Sequence, residues 1–146
     1  MNLDFVEMLR ALLDAEVRFL IVGAYALNAY TKPRATGDLD IWVEPTCENA
    51  GKLFRALKSF GTPLNQVVEA DFEVPGVMFQ IGIAPLRIDI LTEITGVEFE
   101  EAWKTHVLYP FGPYQIPFLG KKLLIRNKLA TGRPKDLLDL ESLEDS

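Results

Sequence analysis

The sequence predicts an α/β (α+β) fold: a small mixed β-sheet with helices packed on it. Three observations predict it. Apolar residues recur at helical spacing in several segments; short apolar runs bounded by Gly or Pro stand between them; and the two kinds of segment alternate along all 146 residues.

Leu3, Val6, Leu9, Leu12 and Leu13 fall on one face at helical spacing, so the first segment is an amphipathic helix. "RFLIVG" is a short apolar strand closed by Gly23, and the Ala-rich "AYALNAY" after it is a helix packed on the sheet. "KPRATG" holds Pro and Gly and is a loop; "DLDIWV" is the next strand. "TCENAGKLFRALKSF" is a helix capped by Thr46, with Glu48 in its first turn, and "GTPLN" breaks it. Residues 66–83 are ambiguous, with short strands expected around "VPGVMFQIG". "LRIDILTEI" alternates cleanly, placing Leu86, Ile88 and Ile90 on one face and Arg87 and Asp89 on the other. "GVEFEEAWKTH" is a helix, and the Pro-rich, aromatic "VLYPFGPYQIPF" is a short hairpin or a pair of loops. "LGKKLLIRNKLATG" and "RPKDLLDLESL" are two helices separated by Gly132 and Pro134, a helical C-terminal extension over about 119–143. With no repeat or linker, a single domain over 1–146 is expected, its last residues "EDS" fraying.

Composition narrows the classes of function. A chain of this length buries roughly two thirds of the surface it exposes when unfolded. No apolar run approaches the roughly 20 residues of a membrane span, and the acidic, helix-patterned N-terminus is no signal peptide, so no membrane partner is expected. Cys47 stands alone, which precludes an internal disulfide and fits a reducing cytoplasm. One histidine, His106, without a Cys/His cluster argues against zinc and reads as structural. A net charge of −6 gives no global electrostatic footprint for nucleic acid.

The chemistry lies in "ATGDLDIWVEP". Asp is among the poorest strand formers, yet Asp38 and Asp40 alternate with apolar Leu39, Ile41 and Val43. Strand residues two apart share a face, so the two carboxylates project side by side, about 7 Å apart at the backbone. Asp89, between Ile88 and Ile90, has the same phase in a later strand. If the two strands are neighbours, three carboxylates converge; left bare, they repel and raise one another's pKa. A hard divalent cation, Mg²⁺ above all, removes that repulsion and leaves coordination positions for water and substrate phosphates. Taken singly, each aspartate has an ordinary reading: Asp38 as a turn residue after Thr36-Gly37, and Asp89 as the partner of Arg87 or a lysine.

The segment "FLIVGAYALNAYTKPRATGDLDIWV" resembles the signature of the nucleotidyltransferase superfamily: a hydrophobic strand, Gly followed by Gly or Ser, a gap, then Asp-hydrophobic-Asp/Glu-hydrophobic. Here the pair is Gly23-Ala24, 13 residues intervene, and "DLDI" completes it; Asp89 in "IDI" matches the third family carboxylate. "VGAYALNAY", "PRATGDLDIWV" and "GRPKDLLDL" look most like the minimal nucleotidyltransferase-like proteins related to abortive-infection toxins, over roughly residues 18–140. The resemblance implies a nucleotidyltransferase-like fold and transfer of a nucleoside monophosphate from a nucleoside triphosphate to an acceptor hydroxyl. It implies that Asp38, Asp40 and Asp89 are catalytic and bind two Mg²⁺ ions, with Mn²⁺ as the substitute ion, and that Asp89 also helps to deprotonate the acceptor.

Nucleotide-binding candidates are Gly23, Ala24, Arg34, Lys128 and Asp136. Gly23 lets the backbone approach a polyphosphate at a helix N-terminus, although an ordinary strand-to-helix turn would explain it equally. Ala24 departs from the Gly or Ser of many relatives and loses any hydroxyl contact. Arg34 lies in the loop that could close over phosphates. Lys128 and Asp136 match by spacing a lysine and a downstream aspartate of the toxin-like relatives, with Lys121 and Lys122 competing with Lys128, and Asp136 open to capping or to pairing with Arg133. Tyr25, Trp42, Trp103 and Tyr114 could stack a base, but core packing suits each better. The implied acceptor is an RNA end, a protein hydroxyl or a small molecule. Two classes of function follow: an active enzyme, as the toxin half of a two-gene system, or a catalytically inactive relative that binds nucleotide or a partner protein as antitoxin or regulator.

Overall fold

Four consecutive apolar residues, all buried, form β1 (Phe19–Val22) and set it inside a sheet covered on both faces. The computed structural model describes residues 2–83 and 86–144. Strands β2 (Asp38–Val43), β3 (Met78–Ile83), β4 (Leu86–Leu91), β5 (Val107–Phe111) and β6 (Tyr114–Phe118) complete a six-stranded mixed sheet in the order β3-β4-β2-β1-β6-β5. β2 runs antiparallel to β1 and parallel to β4, while β6 joins the other edge of β1 in parallel. Helices α1 (Leu3–Asp14), α2 (Gly23–Tyr30), α3 (Cys47–Phe60), α4 (Phe99–Lys104), α5 (Lys121–Thr131) and α6 (Pro134–Glu144) pack around it. α1 lies on α3, and α5 and α6 pack on each other and on α2.

The local reasons are legible. Asn2 caps α1 by accepting from Phe5 N, and Thr46 caps α3 by accepting from Asn49 N at 3.2 Å. α3 ends at Gly61, whose φ of 95° continues the chain in a left-handed cap. Glu48 closes no capping box. Asn49 occupies the third helical position and instead spends its amide on Arg18 and Glu44 backbone carbonyls, tying α3 to the start of β1 and the end of β2.

Residues 66–83 yield one strand rather than several. A 3₁₀ helix, Glu69–Glu73, buries Phe72, and β3 starts only after Pro75-Gly76. The helix expected from Gly96 is shortened to Phe99–Lys104, because Gly96 takes a φ of 81° and Val97 bridges back to Ile94. "VLYPFGPYQIPF" is the hairpin, β5–β6. In the expected frayed tail, Glu144 still belongs to α6, and Asp145 and Ser146 lie outside the described residues. Among the described residues, no helix is long and apolar enough to cross a membrane.

Candidate active site

β2 alternates as its sequence requires: Leu39, Ile41 and Val43 are fully enclosed, whereas Asp38 and Asp40 remain partly open. The parallel register sets Asp40 opposite Asp89 and Asp38 opposite Arg87. Asp89 is only 5% exposed. Burial and the facing Asp89 and Asp38 carboxylates push the Asp40 carboxyl up to about 6, with Arg87 acting in the opposite sense.

The carboxylates are not bare. Arg87 Nε donates to Asp89 Oδ1 at 3.0 Å, and its Nη2 donates to both Asp89 Oδ2 and Asp38 Oδ2 at 3.2 Å. Sequence reasoning placed Arg87 on this face and kept it as a partner for Asp89 alone. Its bridging of two strands depends on the parallel β2–β4 register, which the sequence does not contain.

Gly23 follows β1 directly and begins α2 with a φ of 67°, so strand turns into helix without a loop. A Cβ at this position would collide with Asp40 Oδ2. The glycine thus lets the Asp40 carboxylate sit against the first turn of α2. Gly23→Ala is expected to lower stability by about 1–3 kcal/mol from backbone strain alone, and to displace Asp40. Thermal melting and nucleotide titration check it; wild-type values in both would remove this role.

A cavity of about 420 Å³ opens on Asp38 and Asp40 and is lined by Gly23, Ala24, Arg34, Lys128, Arg133, Lys135 and Asp139. Asn28 holds its loop wall, donating to Arg34 O at 2.7 Å and accepting from Arg34 N. Lys128 alone of the three competing lysines lines the cavity, reaching it from the last turn of α5 while its side chain is nearly enclosed.

Asp136 does not line this cavity; it lies behind it, fully buried. It accepts from Arg133 N, Nε and Nη2, from Thr131 Oγ1 at 2.6 Å and from Lys128 Nζ. The Arg133 guanidinium, then Thr131, hold its carboxyl well below the usual range despite burial. The acidic residue that α6 presents to the cavity, beside Lys135, is Asp139, one turn on from Asp136. It pairs with Arg34 at 3.2 Å and lies 3.0 Å from Lys128 Nζ. Sequence reasoning missed Asp139, although the spacing in "KDLLD" carried the signal, since i and i+3 share a helix face.

The aromatic candidates serve packing. Trp42 is buried edge-on to Phe99, Trp103 stacks on Phe99 beneath Arg18, Tyr25 packs against Phe5 and Phe111, and Tyr114 lies against the core. His106 bonds through Nδ1 to the Trp103 carbonyl, away from the aspartates.

In donor type the site fits a hard divalent ion: three carboxylates on paired strands, two of which, Asp38 and Asp40, line a cavity with room for phosphates. It is not a preformed cage. Among the described residues no group of three or more acidic, His or Cys side chains is arranged to hold an ion, and Arg87 holds two of the three carboxylates.

No protein-family model matches the sequence, and no curated protein matches it. Solved structures match its fold. An inferred nucleotidyltransferase from Thermotoga maritima superposes with a TM-score of 0.62 at 15% identity, over 99% of this chain and 95% of that one. The lincosamide antibiotic adenylyltransferase LnuA, solved with lincomycin bound, superposes with a TM-score of 0.60 at 14% identity, over 99% and 96%. The fold is nucleotidyltransferase-like across the whole chain.

Proposed function

We propose, from the nucleotidyltransferase-like fold this chain adopts, that it is a metal-dependent nucleotidyltransferase acting on a nucleoside triphosphate and an acceptor hydroxyl. One observation carries this reading: Asp38, Asp40 and Asp89 converge beside a cavity walled by Arg34, Lys128, Arg133 and Lys135. The basic wall and the amides at the start of α2 receive the triphosphate. Asp38 and Asp40 would hold Mg²⁺ or Mn²⁺, which when bound neutralises phosphate charge. The acceptor oxygen forms a bond to the α-phosphorus as the bond to the bridging oxygen breaks, and pyrophosphate leaves. Asp89, opposite Asp40 in the parallel register, would help to deprotonate the acceptor hydroxyl.

LnuA bears a small molecule in its structure, which supports a small-molecule hydroxyl as one acceptor class beside RNA and protein. The engagement of Arg87 with two carboxylates favours a second reading, an inactive relative that binds nucleotide or a partner protein as antitoxin or regulator. The toxin half of a two-gene pair is the cellular role that the active reading supports.

Incubation with each labelled triphosphate, Mg²⁺ or Mn²⁺, and RNA, protein and small-molecule fractions is expected to move label into one fraction; release of no label would favour the second reading. Calorimetry should show a triphosphate binding far more weakly in EDTA than in Mg²⁺, because acidic side chains then face a polyphosphate. Equal affinity in both would contradict a carboxylate–metal site.

A further inference from the structure

Two of the three site carboxylates already have a cation. The planar fork of Arg87 meets both oxygens of Asp89 and, through the same Nη2, one oxygen of Asp38. A guanidinium does not lose its proton in proteins, so this charge is permanent. Its place is built in by the sheet: Arg87 pairs with Asp38 in the parallel register, and its backbone N–H donates to Gly37 O at 2.8 Å. Asp89 is buried, so its pairing with Arg87 is screened less than the pairing of Arg87 with the more open Asp38. Asp40 receives no hydrogen bond from Arg87 among those described and lines the cavity together with Asp38.

We propose that Arg87 is a resident cation of this site, holding Asp38 and Asp89 where a second metal ion would otherwise be held, so that the chain takes up one divalent ion rather than two. The inference rests on the nucleotidyltransferase reading above and departs from the two-ion arrangement that the family resemblance implies. An ion lodged between Asp38 and Asp89 would have to expel the guanidinium or sit beside a fixed positive charge. An ion held by Asp40 and Asp38 faces the cavity and completes its shell with phosphate and water, as Mg²⁺ does on one or two carboxylates. That no three acidic side chains among the described residues form an ion-holding group accords with this division. Arg87 is thus a positioning residue: it fixes Asp89 and sets how many ions the site accepts.

The test counts bound Mn²⁺ by electron paramagnetic resonance of the free ion. It is run on the protein alone and with saturating α,β-methylene ATP, corrected for Mn²⁺ held by the free analogue. The wild type should bind one ion. Arg87→Met should bind a second, or bind the first at least tenfold more tightly, while Arg87→Lys, which keeps the charge but not the fork, should remain at one. If Arg87→Met does not fold, Arg87→Gln, uncharged but able to donate hydrogen bonds, carries the same expectation. Two ions on the wild type would overturn the proposal and leave the proposed function standing, as would identical binding by the wild type and the uncharged variants. No ion on any of the proteins, even with the analogue present, would overturn the metal-dependent function itself.

Discussion

Asp40→Asn is expected to reduce nucleotidyl transfer a hundredfold or more, on the order of 3 kcal/mol in the barrier, while leaving the fold intact. Asp40 is the carboxylate placed centrally in the site. It lines the cavity, stands opposite Asp89, and lies against the first turn of α2. Its effect on stability has the opposite sign. Its carboxyl sits at about 6 in the fold, above the ordinary value of about 4, so between these values the folded chain holds a proton that the unfolded chain has released. Stability therefore falls as pH rises from about 4 to about 6, and stays lower above that. An asparagine cannot ionise. Without divalent ions, Asp40→Asn should melt above the wild type at pH 7, and the gap should close below about pH 4. Asp89→Asn should melt earlier instead, because it strips a buried partner from Arg87. Melting scans of both variants at pH 4 and 7 make the comparison; early melting of both would mean that Asp40, too, holds the fold together.

Asp136→Ala should give the largest loss of stability, about 3–5 kcal/mol, the usual result of removing one partner from a buried charge pair. The carboxylate is fully enclosed and serves Arg133, Thr131 and Lys128 at once, joining the end of α5 to the start of α6. With its carboxyl held below the usual range, the stability it contributes is present above about pH 4 and is lost as pH falls below that. Urea unfolding at pH 7 should show the full loss, and at pH 3 a smaller one. Nucleotide affinity should fall less than stability, because Lys128 keeps its ion pair with Asp139 at 3.0 Å. A variant with wild-type stability at pH 7 would show that the α5–α6 junction is held by other contacts.

The parts of the site that the sequence reveals are those written in local periodicity. Alternation in "DLDIWV" and "LRIDIL" is enough to phase three carboxylates, and Gly23 before a helix is enough to suggest a tight strand-to-helix switch. What it hides depends on which strands become neighbours and on which turn of a helix faces inward. Arg87 is read as a local partner of Asp89 until β4 is laid beside β2, when it reaches Asp38 as well. Asp136 and Asp139 are both aspartates on one short helix, and only the packing of α6 against α5 and α2 decides that the first braces the junction and the second faces the cavity. The ambiguity of residues 66–83 has a similar cause: Phe72 anchors a 3₁₀ helix by burial, which no period-two or helical pattern announces.

The parallel pairing of Ile21 with Phe118 also sets an order of assembly. β1 comes early in the chain, yet one of its edges closes only when β6 arrives, after the other five strands have been made. Such non-local pairing is slow, since a long loop must be closed before the contact gives anything back. Until then β1 presents an open, wholly apolar edge, the kind of surface on which unfinished chains stick to one another. Lys128, Arg133 and Lys135 come later still, so during synthesis the aspartates of β2 and β4 emerge after Arg34 but before the other three cations of the cavity wall. Arg87, only two residues from Asp89, emerges with it and supplies positive charge before those three do.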